Sequence, residues 1–245
     1  MHEKLNTISG QLLDIFFPPA CPVCGNVRPY SNGERLRMCT DCRDRLKFIS
    51  GPTCLKCGKG LEEEEAEYCY DCQRHAHIYD RSFAVYEYTD AIKNSIYRFK
   101  YKNRREYASI YAEEIAERLG ESIRYYSPDA IIPVPLHKSK YRQRGFNQAE
   151  LIAVELGKIL NIYVDTETLI RVKKTIPMKE LNNKERQKNL ESAFNVITNV
   201  VKYRQVLVVD DIYTTGATLD ACAMILKEHG VSRVYGVELS IGRGF

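Results

Sequence analysis

Four stretches of the chain are short, apolar and rich in β-branched or aromatic residues: Ser82 to Tyr88, Ala130 to Val134, Val206 to Val209 and Val234 to Ile241. Runs of this length, bounded by polar and turn-forming residues, predict strands. Between them the apolar spacing becomes helical. Arg105 to Leu119 carries Tyr107, Ile110, Tyr111, Ile115 and Leu119 on one dry face, and Phe146 to Leu160 behaves likewise. A third helical stretch, Gly216 to His229, places Leu219, Cys222, Ala223 and Leu226 on one side and ends at Gly230, which suits the left-handed closing conformation. Strands alternating with helices predict an α/β unit built on a parallel sheet. Before residue 80 the pattern differs, with few apolar runs and many turn formers.

Charge and cysteine usage divide the chain at the same place. Of the 36 Lys/Arg and 32 Asp/Glu, residues 1 to 80 hold 10 and 12, so the two parts carry −2 and +6 and the net charge of +4 comes from the second. Eight of the nine cysteines lie between Cys21 and Cys72. Two domains are expected, 1–80 and 81–245. A hydrophobic content of 44% over 245 residues supports a substantial core and excludes small disulfide scaffolds and disordered polymers. Polar residues interrupt every longer apolar run, so membrane insertion is not expected. The opening His2, Glu3 and Lys4 lead into a short apolar stretch that ends at Phe16, Phe17, Pro18 and Pro19 without a small-residue cleavage site, and a cytoplasmic location is expected. The acidic run Glu62 to Glu65 reads as a solvated loop tip.

Cys21 and Cys24, Cys39 and Cys42, Cys54 and Cys57, and Cys69 and Cys72 form four C-x-x-C pairs, with 14 residues between the first two and 11 between the last two. A two-residue gap lets one tight turn aim two thiolates at a single ion, and two such turns complete the tetrahedral sulfur shell that zinc accepts. Gly25 and Gly58 follow two of the pairs, as such turns require. Disulfides are the alternative, disfavoured in a reducing compartment. Two structural zinc sites are therefore expected. Sequential pairing and first-with-third pairing both close a ribbon, and sequential pairing is the expectation. His75 and His77 are expected to be ordinary surface or packing residues rather than ligands.

The run Val206 to Val209 is followed by Asp210, Asp211, Ile212, Tyr213, Thr214, Thr215, Gly216, Ala217 and Thr218, then by the third helix. In an open parallel sheet, ligands sit beyond the carboxyl ends of strands, where free backbone N–H groups and a helix N-terminus favour a phosphate. Two aspartates would repel a phosphate at the same spot, so they face hydroxyl donors or a cation such as Mg²⁺. A simple cap and turn would be the bland account of an Asp-Asp pair. The whole stretch resembles the phosphoribosyl-pyrophosphate loop of type I phosphoribosyltransferases. That resemblance implies that Asp210 and Asp211 contact the ribose hydroxyls of phosphoribosyl pyrophosphate and that Thr214, Thr215, Gly216, Ala217 and Thr218 wrap its 5′-phosphate. It also implies a second loop, after the first strand of the sheet, that meets the pyrophosphate; Pro133, Val134 and Pro135 occupy the matching place.

Lys138, Lys140, Arg142 and Arg144 then form what reads as a flexible cationic arm suited to closing over a pyrophosphate. A second basic cluster, Lys93, Arg98, Lys100, Lys102, Arg104 and Arg105, is interleaved with Tyr97, Phe99 and Tyr101; it could bind single-stranded nucleic acid, although a solvated helix face with buried aromatics is the commoner meaning. Phe17-Pro18-Pro19-Ala20-Cys21, the four cysteine pairs, Phe99-Lys100-Tyr101, Pro133-Val134-Pro135-Leu136-His137, Arg144-Gly145-Phe146-Asn147-Gln148 and the Asp-Asp loop together resemble the ComF family of competence proteins. The resemblance implies a double zinc ribbon joined to a phosphoribosyltransferase-like, Rossmann-like α/β domain, and a link to natural transformation, with single-stranded DNA and competence-machinery proteins as partners. Met178 stands where the family usually has a glutamine, in a stretch from Thr175 to Leu181 followed by Arg186, Asn189 and Phe194. Two readings follow. One is an enzyme in which Mg²⁺ and the cationic arm, Arg144 included, stabilise a departing pyrophosphate. The other is a non-catalytic DNA-handling protein that uses the same scaffold.

Overall fold

The structure is a computed structural model and describes residues 18–173, 193–197 and 202–242. Phe17, the stretch Thr175 to Leu181 with Met178, Arg186 and Asn189 lie outside the described residues.

Cysteine-led turns organise the N-terminal part. A two-residue hairpin, β1 (Tyr30–Ser31) with β2 (Glu34–Arg35), turns at Asn32 and Gly33, both with positive φ. Two single-turn helices, α1 (Thr40–Asp44) and α2 (Tyr70–Arg74), begin directly after Cys39 and Cys69. The rest alternates as the hydrophobic pattern requires: β3 (Arg81–Glu87), α3 (Asp90–Tyr101), α4 (Tyr107–Tyr126), β4 (Ala130–Pro133), α5 (Lys138–Arg144), α6 (Gln148–Leu160), the small antiparallel pair β5 (Leu169–Arg171) and β6 (Phe194–Val196), β7 (Gln205–Tyr213), α7 (Ala217–Glu228) and β8 (Arg233–Ile241). The main sheet is parallel throughout, in the order β3-β8-β7-β4.

Successive side chains of a strand point to opposite faces, so a sheet covered on both sides needs apolar residues at nearly every position. Ile131, Leu207, Val209, Val237 and Leu239 pack on one face with α3, α4 and α6, while Ile132, Val206, Val208 and Val234 pack on the other with α7 and the β5–β6 pair. The cysteine clusters join the same two cores: Cys21 and Cys42 the first, Cys54, Cys57 and Cys69 the second. Fully buried Glu114 of α4 accepts from Arg37 Nη1 (3.1 Å) and Arg43 Nη1 (2.9 Å), which ties the first ribbon to the helix layer.

Three local expectations change. Strand β7 continues past Val209 because β8 continues beside it, so Asp210 pairs with Glu238 and Ile212 with Ser240, and both aspartates belong to the strand rather than to the loop. Helix α4 runs a further two turns past Leu119: Gly120 faces Leu160 of α6, and buried Ile123 extends the apolar stripe until Ser127 closes the helix with φ 45°. The segment read as a flexible arm is a helix, capped by His137, whose Nδ1 accepts from the Ser139 amide (3.2 Å), and closed by left-handed Gly145. Among the described residues no helix is long and apolar enough to cross a membrane.

Candidate functional site

The cysteine pairs assemble in sequence order. The Sγ atoms of Cys21, Cys24, Cys39 and Cys42 all lie within 4.8 Å of one another, and so do those of Cys54, Cys57, Cys69 and Cys72. The two sites are built alike. Gly25 and Gly58 take positive φ and donate their amides to the carbonyls of Cys21 (2.8 Å) and Cys54 (2.9 Å), while Cys39 and Cys69 begin helices that carry Cys42 and Cys72 one turn later. Four soft sulfur ligands per site fit two structural zinc ions, with no position left for a substrate. His75 and His77 are in neither cluster, as expected; His75 Nδ1 lies against the Asp71 carbonyl (3.2 Å) and His77 Nδ1 against Asp220 Oδ2 (2.7 Å).

At the carboxyl end of β7, Asp210 and Asp211 stand side by side, with the Asp211 amide donating to Asp210 Oδ1 (2.8 Å). Lys100, at the end of α3, bridges both Asp211 oxygens at 2.8 and 2.7 Å. Burial, then the charge of Asp211, pushes the Asp210 carboxyl up to about 7, against the opposing pull of Lys100 and Arg171. Glu238, beside Asp210 in the ladder, is fully buried and accepts from Ser82 Oγ; burial holds it well above the ordinary carboxylate range. Asp210 and Glu238 thus stand side by side in the cleft, each raised above the ordinary carboxylate range.

Beyond the acids the chain turns through Thr214 and Thr215 to Gly216, which has φ +78° and caps α7 with no side chain. A Cβ at Gly216 would lie 2.5 Å from Tyr213 Oη and 2.8 Å from His77 Cε1, so only glycine fits. The first-turn amides of α7 have no side-chain cap, the condition under which a helix start accepts an anion. Val134, Asp210, Thr214, Gly216, Thr218 and Glu238 line one cleft, together with Ile212, Tyr213 and Leu219.

The basic segment follows β4 in the chain, and Val134 of the intervening turn lines the cleft. Val134 donates its amide to Val209 O (2.9 Å) and accepts on its carbonyl from Asn147 Nδ2 (3.0 Å), which fixes the Pro133-Val134-Pro135 turn at the head of the strands. In the Arg144 to Gln148 motif, Gly145 closes α5, Phe146 packs on Phe99, and Asn147 caps α6 by accepting from the Ala149 amide (3.2 Å). Arg144 is held by Gln148 Oε1 (2.7 Å) and Tyr101 Oη (3.0 Å), rather than swinging on an arm. Lys138 is exposed at the start of α5. Lys140 is half-buried, and burial followed by the charges of Arg171, Arg144 and Lys100 lowers its pKa. Lys140 thus lies within electrostatic reach of Arg171, Arg144 and Lys100.

Several of these partners were not readable in the sequence. Lys100 falls in the basic cluster whose commoner meaning is a solvated helix face, yet it sits on Asp211; Arg98 of the same cluster donates to the Val23 carbonyl and Arg104 pairs with Glu106. Phe99 is buried, whereas Tyr97 and Tyr101 are exposed. Arg171, Glu238, His77 and Asp220 carried no motif.

Comparison with known proteins agrees with this geometry. Residues 12–73 match the double zinc ribbon domain and residues 107–237 the phosphoribosyl transferase domain. The chain is similar to competence protein F of Haemophilus influenzae, 32% identical over 225 residues, covering 89% of this chain and 95% of that protein. It is 29% identical over 204 residues to competence protein ComFC of Bacillus subtilis, covering 79% of each. It is also 28% identical over 200 residues to the DNA utilization protein YhgH of Escherichia coli K12, covering 80% of this chain and 87% of that protein.

Proposed function

We propose that this chain, which belongs to the ComF family of competence proteins, binds phosphoribosyl pyrophosphate with Mg²⁺ at the end of β7 and acts in the cytoplasm during DNA uptake. Residues 1–80 serve as the zinc-stapled module and 81–245 as the ligand-binding domain. One observation carries the reading: Asp210 at a strand end with Glu238 beside it, a left-handed glycine and an uncapped helix start line a single cleft.

The roles follow from chemistry. Asp210 and Asp211 accept from the ribose hydroxyls, and Thr214, Thr215, Gly216, Ala217 and Thr218 donate to the 5′-phosphate. Lys138 and Lys140 of α5, with Arg144 behind them, face the pyrophosphate beside Pro133, Val134 and Pro135. Hard carboxylate oxygens suit Mg²⁺, which Asp210 and Asp211 would hold with the ligand's own oxygens and which supplies neutralisation of the pyrophosphate charge. Transfer, if an acceptor attacks C1 of the ribose, needs no side-chain nucleophile; fixed positive charge toward the leaving pyrophosphate supplies the catalysis. Changing Asp210 and Asp211 together to Asn should abolish binding in calorimetry while the protein stays folded, and an unchanged affinity would remove the ribose-contact assignment.

A second reading, single-stranded DNA handling, is favoured by a specific surface. Tyr97, Tyr101 and Tyr141 are exposed, Arg144 stacks 4.9 Å from the Tyr101 ring centre, and Lys102 and Arg142 are exposed nearby in the chain. Aromatic faces with adjacent cations suit stacking of unpaired bases.

A further inference from the structure

The second cysteine tetrad and the phosphate loop are connected through six residues. Chain leaving α2 after Cys72 runs as a strap, 75–80, to the start of β3. Asp220, in the first turns of α7, receives this strap with both carboxylate oxygens: Oδ2 lies 2.7 Å from His77 Nδ1, and Oδ1 accepts from the Ile78 amide at 2.7 Å. The His77 ring packs where Gly216 has no Cβ, at 2.8 Å from that position, and stacks on Tyr79 with ring centres 4.9 Å apart. Tyr79 is fully buried, and its Oη lies 2.7 Å from Oη of Tyr213, the last residue of β7 before the loop. Tyr79 shares a core with Cys54, Cys57 and Cys69, and its carbonyl accepts from Lys56 Nζ. The knuckle is seated as tightly: a Cβ on Gly58 would lie 2.7 Å from the Ser82 carbonyl of β3.

Phosphate binding needs only amides, hydroxyls and a glycine. It does not need a histidine wedged under that glycine or an aspartate spent wholly on the strap. We infer that His77 and Asp220 are positioning residues which couple the second tetrad to the phosphate loop, so that zinc on Cys54, Cys57, Cys69 and Cys72 and a sugar phosphate at Thr214 to Thr218 strengthen each other's binding. The inference rests on the reading of that loop given above. Its physical basis is rigidity: the metal fixes the strap, the strap fixes Gly216 and Tyr213, and the loop amides are ordered before the ligand arrives.

The test is a competition titration of zinc against a zinc-selective chelator, with and without phosphoribosyl pyrophosphate and Mg²⁺, on the wild-type protein and on Asp220→Ala, which keeps all eight cysteines of the two tetrads. In the wild type, one of the two zinc equivalents should be held about tenfold more tightly when the ligand is present, within the usual range for coupled sites. In Asp220→Ala that gain should fall below about twofold, and ligand affinity by calorimetry should drop by about the same tenfold, because coupling is reciprocal. Asp220→Asn, which keeps an oxygen for the Ile78 amide, should recover part of both. Tyr79→Phe removes only the hydroxyl contact and gives a smaller change of the same sign, which keeps the test open if Asp220→Ala does not fold. Ligand binding without any gain in zinc affinity, or an equal gain in Asp220→Ala, overturns the coupling and leaves the phosphate loop standing. A wild-type protein that binds no ligand overturns both.

Discussion

Removing Lys100 probes the electrostatics of the acidic pair. Its Nζ lies 2.7 Å from Asp211 Oδ2, and the two side chains are only 17% and 11% exposed. At that separation and an effective dielectric of about 20, the gross attraction is about 6 kcal/mol, most of it offset by the desolvation of both ions. Breaking such a pair from one side costs about 3 to 5 kcal/mol because it strands the other charge, and the residual exposure here favours the lower end. Lys100→Met should therefore lower the unfolding free energy by about 3 kcal/mol at pH 8. The loss should depend on pH. Asp210 titrates at about 7 in the folded protein against an ordinary value of 3.8, so stability is highest below the ordinary value and falls as pH rises through the folded one, where the native carboxyl must give up a proton that the unfolded chain has already lost. At pH 5.5 Asp210 keeps its proton, Lys100 faces one negative charge fewer, and the cost of losing Lys100 should be smaller than at pH 8. Urea unfolding of wild type and variant at the two pH values reads this directly. Equal losses at both, or none at pH 8, would refute the assignment of Lys100 as the counter-ion of the acidic pair.

Other expected outcomes test separate parts of the account. Cys21→Ser should reduce bound zinc from two equivalents to one and lower the melting temperature, since a three-sulfur shell is incomplete; two equivalents by mass spectrometry would argue against Cys21 as a ligand. Gly216→Ala places a Cβ 2.5 Å from Tyr213 Oη on a backbone with φ +78°, so calorimetry should show at least a tenfold weaker sugar-phosphate affinity and chemical unfolding a loss of about 1 to 2 kcal/mol from the backbone alone. If the Tyr97–Tyr101 surface binds single-stranded DNA, Lys102→Ala with Arg142→Ala should weaken binding and flatten its salt dependence, with an unchanged slope counting against that surface.

The main sheet was legible because a parallel sheet buried on both faces leaves a nearly continuous apolar signature, and Val206 to Val209 carries it. The cysteine sites were legible for a more local reason, since a two-residue spacing and a following glycine define each turn without reference to the rest of the chain. Element ends were less so. Polar Asp210 and Asp211 look like loop residues, yet the ladder with β8 holds them in the strand, and that partner lies far along the chain. Helix α5 left a clearer trace than the reading as an arm allowed, because His137 and Gly145 are cap and stop at the right spacing for two turns. The partners of the site were not legible at all. Lys100 is 111 residues from Asp211 and His77 is 143 from Asp220, and no periodicity records a contact made only when a helix end or a strap is laid across the sheet. Glu238 is hidden for a related reason: a lone acid within an apolar strand shows its meaning only once Asp210 and Ser82 are beside it.

The most direct test of the central claim is titration calorimetry of the zinc-loaded protein with phosphoribosyl pyrophosphate and Mg²⁺, repeated with single-stranded DNA present. A saturable heat of binding at one site per chain, lost when Asp210 and Asp211 are both Asn, is the result expected of a working phosphate loop at the end of β7. Silence toward the sugar phosphate while the same sample binds DNA would contradict it and favour a scaffold turned wholly to nucleic-acid handling.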